Sequence, residues 1–148
     1  MRSAAAVRGS DNKPQLAATA PTEVARKKVV MNMPKGSRCD LVGFGNAGVW
    51  VALSSGDGTF QNAVLTLDDM GKDQGWQGGG VNPRMVADVT GNGRGDLVGF
   101  GNDGVYLALS NGNGTFGPMN KVLGNMGTDQ GWQGGGVNPR MVADVTGK

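Results

Sequence analysis

The chain repeats itself every 56 residues, and that period limits the folds open to it more than any other feature. The segment DLVGFGN at 40–46 returns at 96–102, and Trp76, Pro83 and Asp88 return as Trp132, Pro139 and Asp144. Aligning 40–87 with 96–143 leaves 34 of 48 positions identical. The differences gather at 61–66 against 117–122, and at 47, 50 and 57 against their counterparts. A unit this short cannot bury a core alone, so neighbouring copies must cover one another's apolar faces.

Each copy reads as four short strands. In the second copy these are 97–101, 105–110, roughly 115–123, and 140–145. Val105, Leu107 and Leu109 alternate with Tyr106, Ala108 and Ser110, the period-2 pattern of a strand packed on both sides. The NGNG segment at 111–114 follows, and Asn and Gly accept the positive φ that a tight hairpin turn demands. Helices are excluded on cost: each interior glycine would lose about 1 kcal/mol relative to alanine, and the chain carries 28 glycines. The expected fold is all-β, built of four-stranded antiparallel β-propeller blades, about two per chain. The boundaries fall at 1–28 for an Ala-, Ser- and Lys/Arg-rich flexible leader, then 29–87, 88–143 and a partial copy at 144–148.

Charge separates the leader from the repeats. Residues 1–28 hold six Lys/Arg against two Asp/Glu, whereas 29–148 hold eight Lys/Arg against ten Asp. The repeat region is net negative and offers nucleic acid no electrostatic footing. A single cysteine, Cys39, excludes an intrachain disulfide, and the absence of histidine removes histidine-based triads and metal sites. No apolar run approaches a membrane span, and the N-terminus carries no convincing secretory signal.

The segment 88–96 sets oxygen-bearing residues at alternate positions of a Gly-rich loop: Asp88, Thr90, Asn92 and Asp96, with the carbonyl of Arg94 between. Calcium takes six to eight hard oxygens at about 2.3–2.6 Å, and such a loop can supply them. The competing reading is a metal-free turn in which Asp88 and Asp96 cap backbone amides. The copy at 144 stops at Lys148, and the earlier one at 32–40 has lost most of its ligands. The RGD tripeptide at 94–96 shares Asp96 with this loop, which argues against adhesive use. Asn113-Gly-Thr115 is a glycosylation sequon on an exposed turn.

These residues carry a resemblance. DVTGNGRGDLVGFGNDGVYLALSNGNGTF resembles the VCBS/FG-GAP repeats of integrin-like propellers. With its glycine-and-Trp loop, N-P-R element and ADVTG, the fuller unit resembles the Psathyrella velutina lectin family. Those lectins are seven-bladed propellers that bind N-acetylglucosamine-type sugars between blades and hold calcium in aspartate loops. The resemblance implies glycan binding and a calcium cofactor here. It departs from the family where Asn82-Pro83-Arg84 and Asn138-Pro139-Arg140 replace an expected His-Pro-Arg.

A sugar site needs an aromatic face for the C–H side of the ring and fixed polar groups for its hydroxyls. The candidates are Trp76, Gln77, Asn82 and Arg84 in one copy, and Trp132, Gln133, Asn138 and Arg140 in the other. Trp50 and Tyr106 share one position on the second strand. Each has a packing alternative: the tryptophans as wedges between units, the arginines as donors to backbone carbonyls. The rival function is an integrin-like structural or adhesion propeller whose partner is a protein. An enzyme is disfavoured, because the aspartates fall in calcium-type spacing or exposed turns. Two units fall short of a ring, so the chain is expected to be a piece of a longer product or to self-assemble. Three or four copies of the chain would complete a six- to eight-bladed homo-oligomeric ring.

Overall fold

The structure, a computed structural model, describes residues 37–148. The expected leader at 1–28 and the first copy's opening segment at 29–36 lie outside the described residues. Arg38–Lys148 form one compact unit.

That unit is all-β, with two antiparallel sheets. The first contains β1 (Leu41–Phe44), β2 (Val49–Ala52) and β3 (Val64–Leu67), in that order. The second contains β4 (Arg84–Ala87), β5 (Asp96–Phe100), β6 (Val105–Ala108) and β7 (Asn120–Leu123), again in chain order. Glycines make the tight connections possible. Gly48 and Gly104, in the β1–β2 and β5–β6 turns, sit at φ 146° and 149°, where a side chain would be strained. The NGNG turn forms as expected: Gly112 and Gly114 adopt φ 85° and 87°, and Ser110 bridges Phe116 beyond it.

The two sheets share the register of their repeat. Gly43 faces Trp50 as Gly99 faces Tyr106, and the pairing shifts by a bulge at Val49/Trp50 and again at Val105/Tyr106. Val49, Met70, Trp76, Leu97 and Ala108 form a buried cluster spanning both sheets, with Val42, Phe44, Leu67, Tyr106, Phe116 and Met119 packed on it. Each large apolar side chain so buried contributes about 1.5–3 kcal/mol, and most of the joint between the sheets is this cluster. A second cluster of Val98, Phe100 and Val105 lies on the far face of the second sheet.

The fourth strand pairs differently from the expectation. Residues 140–145 form no strand, and their counterpart β4 pairs with β5, the strand that follows it in sequence. The eight residues at 88–95 connect these two strands as a hairpin, whereas β4 is separated from β3 by the long 68–83 loop. The second sheet therefore takes its first strand from the tail of the preceding copy. The counterpart of β4 for the first sheet, residues 28–31, lies outside the described residues. Among the described residues no helix is long and apolar enough to cross a membrane.

Candidate functional site

The 68–83 loop of the first copy and the β5–β6 turn of the second meet at a cavity of about 340 Å³, within the size range of small-molecule pockets. It is lined by Asp69, Gln74 and Trp76 from one copy and by Asn102, Asp103 and Tyr106 from the other, with Asn82 and Met119 at its sides.

A strained turn sets the first wall. Met70 adopts φ 59°, a left-handed conformation costing of order 1 kcal/mol for a residue with a side chain. Two interactions hold it: the Met70 amide donates to Asp69 Oδ1 at 2.6 Å, and Arg84 Nη1 donates to the Met70 carbonyl at 2.7 Å. Arg84 also donates from Nε to the Asn82 carbonyl and lies over the Phe44 ring at 5.5 Å. Burial pushes its guanidinium below the usual arginine range. Arg140 repeats the arrangement on Met126 (φ 65°), Asn138 and Phe100. Both arginines thus donate to backbone carbonyls, and neither is among the cavity's lining residues.

Trp76 belongs to the wall and the core together. It is buried, its Nε1 donates to Asp69 Oδ1 at 3.2 Å, and it meets Tyr106 edge-on at 5.9 Å. Its far ring edge presses on Gly99, where an added Cβ would stand 2.7 Å from Cη2. Trp132 makes the equivalent bond to Asn125 but remains half-buried. Asn82 is buried and ties the copies together, donating to the Phe100 carbonyl and to Asn102 Oδ1 while accepting from the Gln77 amide. Asn138 accepts from the Gln133 amide in the same way. The side chains of Gln77 and Gln133 are exposed, and Trp50 is exposed on the outer face of the first sheet.

Three sequence candidates therefore converge on the cavity: Trp76, Asn82 and Tyr106. Asp69, Gln74, Asn102, Asp103 and Met119 were missed. The two copies differ at Asp69, Asp103 and Met119, where the counterparts are Asn125, Ala47 and Ala63. Position 106 differs as well, with Trp50 as its counterpart, so divergence between near-identical copies was the available signal.

The polar groups here are poised for hydroxyls. Tyr106 donates to Asp103 Oδ1 at 2.6 Å, and Lys121 donates to Oδ2 at 3.0 Å. The Tyr106 hydroxyl, then Lys121, hold the Asp103 carboxyl below its usual range, and that same bond to Asp103 raises the Tyr106 phenol. Among the described residues Asp69 Oδ2, Gln74 Nε2 and Asn102 Nδ2 have no hydrogen-bond partner. The lining therefore presents both donors and acceptors, the pairing that a sugar hydroxyl, itself both, requires.

The 88–96 loop lies apart from this cavity's lining. Asp88 accepts from the amides of Gly91, Asn92 and Gly93, and the Gly93 bond above all holds it below the usual carboxylate range. Asp96, fully buried, accepts from the amides of Val89 and Ser110. Its burial withdraws the RGD carboxylate from the surface. Asn92 Oδ1 accepts from the Arg94 amide. Thr90 Oγ1 stands 3.4 Å from Asp88 Oδ1 and 3.5 Å from Asp96 Oδ2. No group of three or more Cys, Asp or Glu side chains gathers for a metal among the described residues.

No family model matches the chain, and no curated protein matches it. Among solved structures it is similar to a lectin of Agrocybe aegerita, described as showing specific recognition of non-reducing terminal N-acetylglucosamine. The two are 54% identical with a TM-score of 0.61, over 64% of this chain. The match spans 23% of the lectin chain, so this chain corresponds to about a quarter of it.

Proposed function

We propose that the chain is a non-catalytic carbohydrate-binding module whose sheets are blades of a β-propeller. A terminal N-acetylglucosamine-type sugar occupies the cavity between the two copies. The observation that carries this reading is the lining itself: unspent donors and acceptors beside an aromatic pair, in a chain 54% identical over 64% of its length to part of an N-acetylglucosamine-recognising lectin.

In this reading Tyr106 supplies the surface for the apolar side of the ring, since Trp76 is engaged in the core and contributes mainly by setting Tyr106 in place. Asp103 fixes the Tyr106 hydroxyl and keeps a charged acceptor at the mouth. Gln74, Asn102 and Asp69 read the ring hydroxyls and the acetamido group. Calcium, when bound through Asp88, Thr90 and Asp96, supplies positive charge that pins the 88–96 turn and the start of β5. Arg84 acts at one remove, by holding the Met70 turn that presents Asp69.

Titration calorimetry of the full chain with N-acetylglucosamine tests this, beside Asp103→Asn and Asp69→Asn variants of unchanged circular dichroism. Saturable binding that weakens about tenfold or more in either variant is expected, in line with losing a hydrogen bond to a charged group. Absence of binding to any acetamido sugar, with and without calcium, removes the proposal. The rival reading, a propeller surface for a protein partner, draws support from the burial of Trp76 alone. It predicts that Trp76→Ala costs stability while these carboxamide variants change nothing.

A further inference from the structure

Three Asn-Gly pairs occur in the chain, at 92–93, 111–112 and 113–114. In each, the glycine has no side chain to shield its amide nitrogen from the carboxamide beside it. Two of the pairs are tied down. The Gly93 amide donates to Asp88 Oδ2 at 2.7 Å, and the Gly112 amide donates to Ser110 Oγ at 3.1 Å. Asn111 Nδ2 is engaged as well, donating to Thr115 Oγ1 at 2.9 Å. The third pair is open. Among the described residues neither the Gly114 amide nor Asn113 Nδ2 donates to any group, and Asn113 is exposed. Only its Oδ1 is held, accepting from the Thr115 amide at 3.1 Å and from the Thr115 hydroxyl at 2.6 Å.

Those contacts suit one reaction. The Gly114 amide nitrogen loses its proton to solvent base and bonds to Asn113 Cγ, while Oδ1 takes up the carbonyl electron pair. The two Thr115 donors stand where that negative charge develops. The pair returns as the Cγ–Nδ2 bond breaks, and Nδ2 takes a proton from water and leaves as ammonia. Water then opens the cyclic imide. Cleavage between Cγ and the Gly114 nitrogen restores the main chain with aspartate at 113, and cleavage at the main-chain carbonyl gives the isoaspartyl linkage instead. The sum is asparagine plus water giving aspartate plus ammonia, with no oxidant or cofactor.

The first copy already displays the product. Asp57 is the counterpart of Asn113, and its Oδ1 accepts from the Thr59 amide at 3.0 Å and from the Thr59 hydroxyl at 2.6 Å. Gly58 follows at φ 92°, as Gly114 does at 87°, and Ser54 bridges Phe60 as Ser110 bridges Phe116. The Thr59 hydroxyl first, then its amide, hold the Asp57 carboxyl below the usual carboxylate range. An aspartate at 113 meets the same two donors, and Arg94 lies against that turn at Gly112 as Arg38 does at Gly56. We propose that Asn113 is a site of spontaneous deamidation, and that the 111–114 turn takes up the resulting aspartate without changing shape. The conversion erases the glycosylation sequon at 113–115 and adds one negative charge to the chain.

Incubating the full chain at mildly alkaline pH, then locating the converted residues by peptide mass spectrometry, tests this. In the folded chain Asn113 should convert at least about fivefold faster than Asn92 or Asn111, whose glycine amides must first leave a hydrogen bond. In concentrated urea, where the turns are lost, the three rates should draw together. An Asn113→Asp chain should keep the circular dichroism and urea midpoint of the parent. Conversion at Asn92 or Asn111 as fast as at Asn113 overturns the proposal, and so does a lead at Asn113 that urea leaves intact. A product that is isoaspartyl alone, or an Asn113→Asp chain with a lowered midpoint, overturns the uptake of aspartate by the turn.

Discussion

Replacing one glycine at the same position of each copy should push stability in opposite directions. Gly43 and Gly99 lie in identical local sequence, LVGFGN, and each is paired across to an aromatic residue on the next strand. Their surroundings differ. A methyl group at 99 would stand 2.7 Å from Trp76 Cη2 and Cζ3 and 3.0 Å from Met70 Cε. The indole cannot swing clear, because Asp69 holds its Nε1 and Tyr106 abuts it edge-on. Overpacking of this kind costs about 1–3 kcal/mol. A methyl group at 43 meets nothing among the described residues, and Gly→Ala at an unstrained site gains about 0.4–1 kcal/mol by narrowing the unfolded ensemble. The two variants should therefore differ by about 1.5–4 kcal/mol. At a slope of about 1.5 kcal/mol/M, that separates their urea midpoints by about 1–2.5 M. The measurement belongs at concentrations where light scattering reports a single chain. Equal midpoints, or a more stable Gly99→Ala, would refute the packing of Trp76 on β5 and the joint built around it.

The same asymmetry predicts that Trp76→Ala costs about 3–5 kcal/mol in single-chain urea titrations, while Trp132→Ala, at a half-buried site, costs less than half of that; similar costs would contradict the assigned environments. Stability should hold level from about pH 5 to 8, since no histidine titrates there. Below about pH 4 it should fall: Asp103, Asp88 and Asp57 have depressed folded-state values, so their contribution is present above the unfolded value and disappears as pH drops through the folded one. Asp103→Asn should flatten part of that decline, and an unaltered profile would remove Asp103 from the account. Millimolar calcium should raise the thermal midpoint, by about 2.7 kcal/mol of stabilisation once the ion reaches a hundred times its dissociation constant. Asp88→Asn should abolish the shift, and a midpoint indifferent to calcium and to chelator would rule the ion out.

What the sequence disclosed and what it concealed divide along a physical line. Period-2 patterning and glycine placement act locally, so β5, β6 and the turn at 111–114 were legible from a few neighbouring residues. Strand partnership is not local. Residues 84–87 carry no mark that assigns them to the following sheet, and only the short 88–95 connection decides it. The site divides in the same way. Trp76 and Tyr106 stood out because large aromatics in Gly-rich surroundings are conspicuous. Asp69 was hidden because its role depends on the left-handed Met70 beside it, and nothing in Asp-Asp-Met-Gly signals that conformation. Arg84 read equally as a ligand residue or as a donor to backbone carbonyls, and only the folded position of Met70 supplies the carbonyl that its Nη1 engages. Even so, the repeat held a finer clue than its identities. Identical positions maintain what every copy needs: the turns, the arginine clamp and the tryptophan wedge. Divergent positions are free of that demand, and four of them, Asp69, Asp103, Tyr106 and Met119, meet at the walls of one cavity. In a tandem repeat whose units share a scaffold, chemistry can vary only where the scaffold does not depend on it, and four of the mismatches between these copies gather at a single cavity.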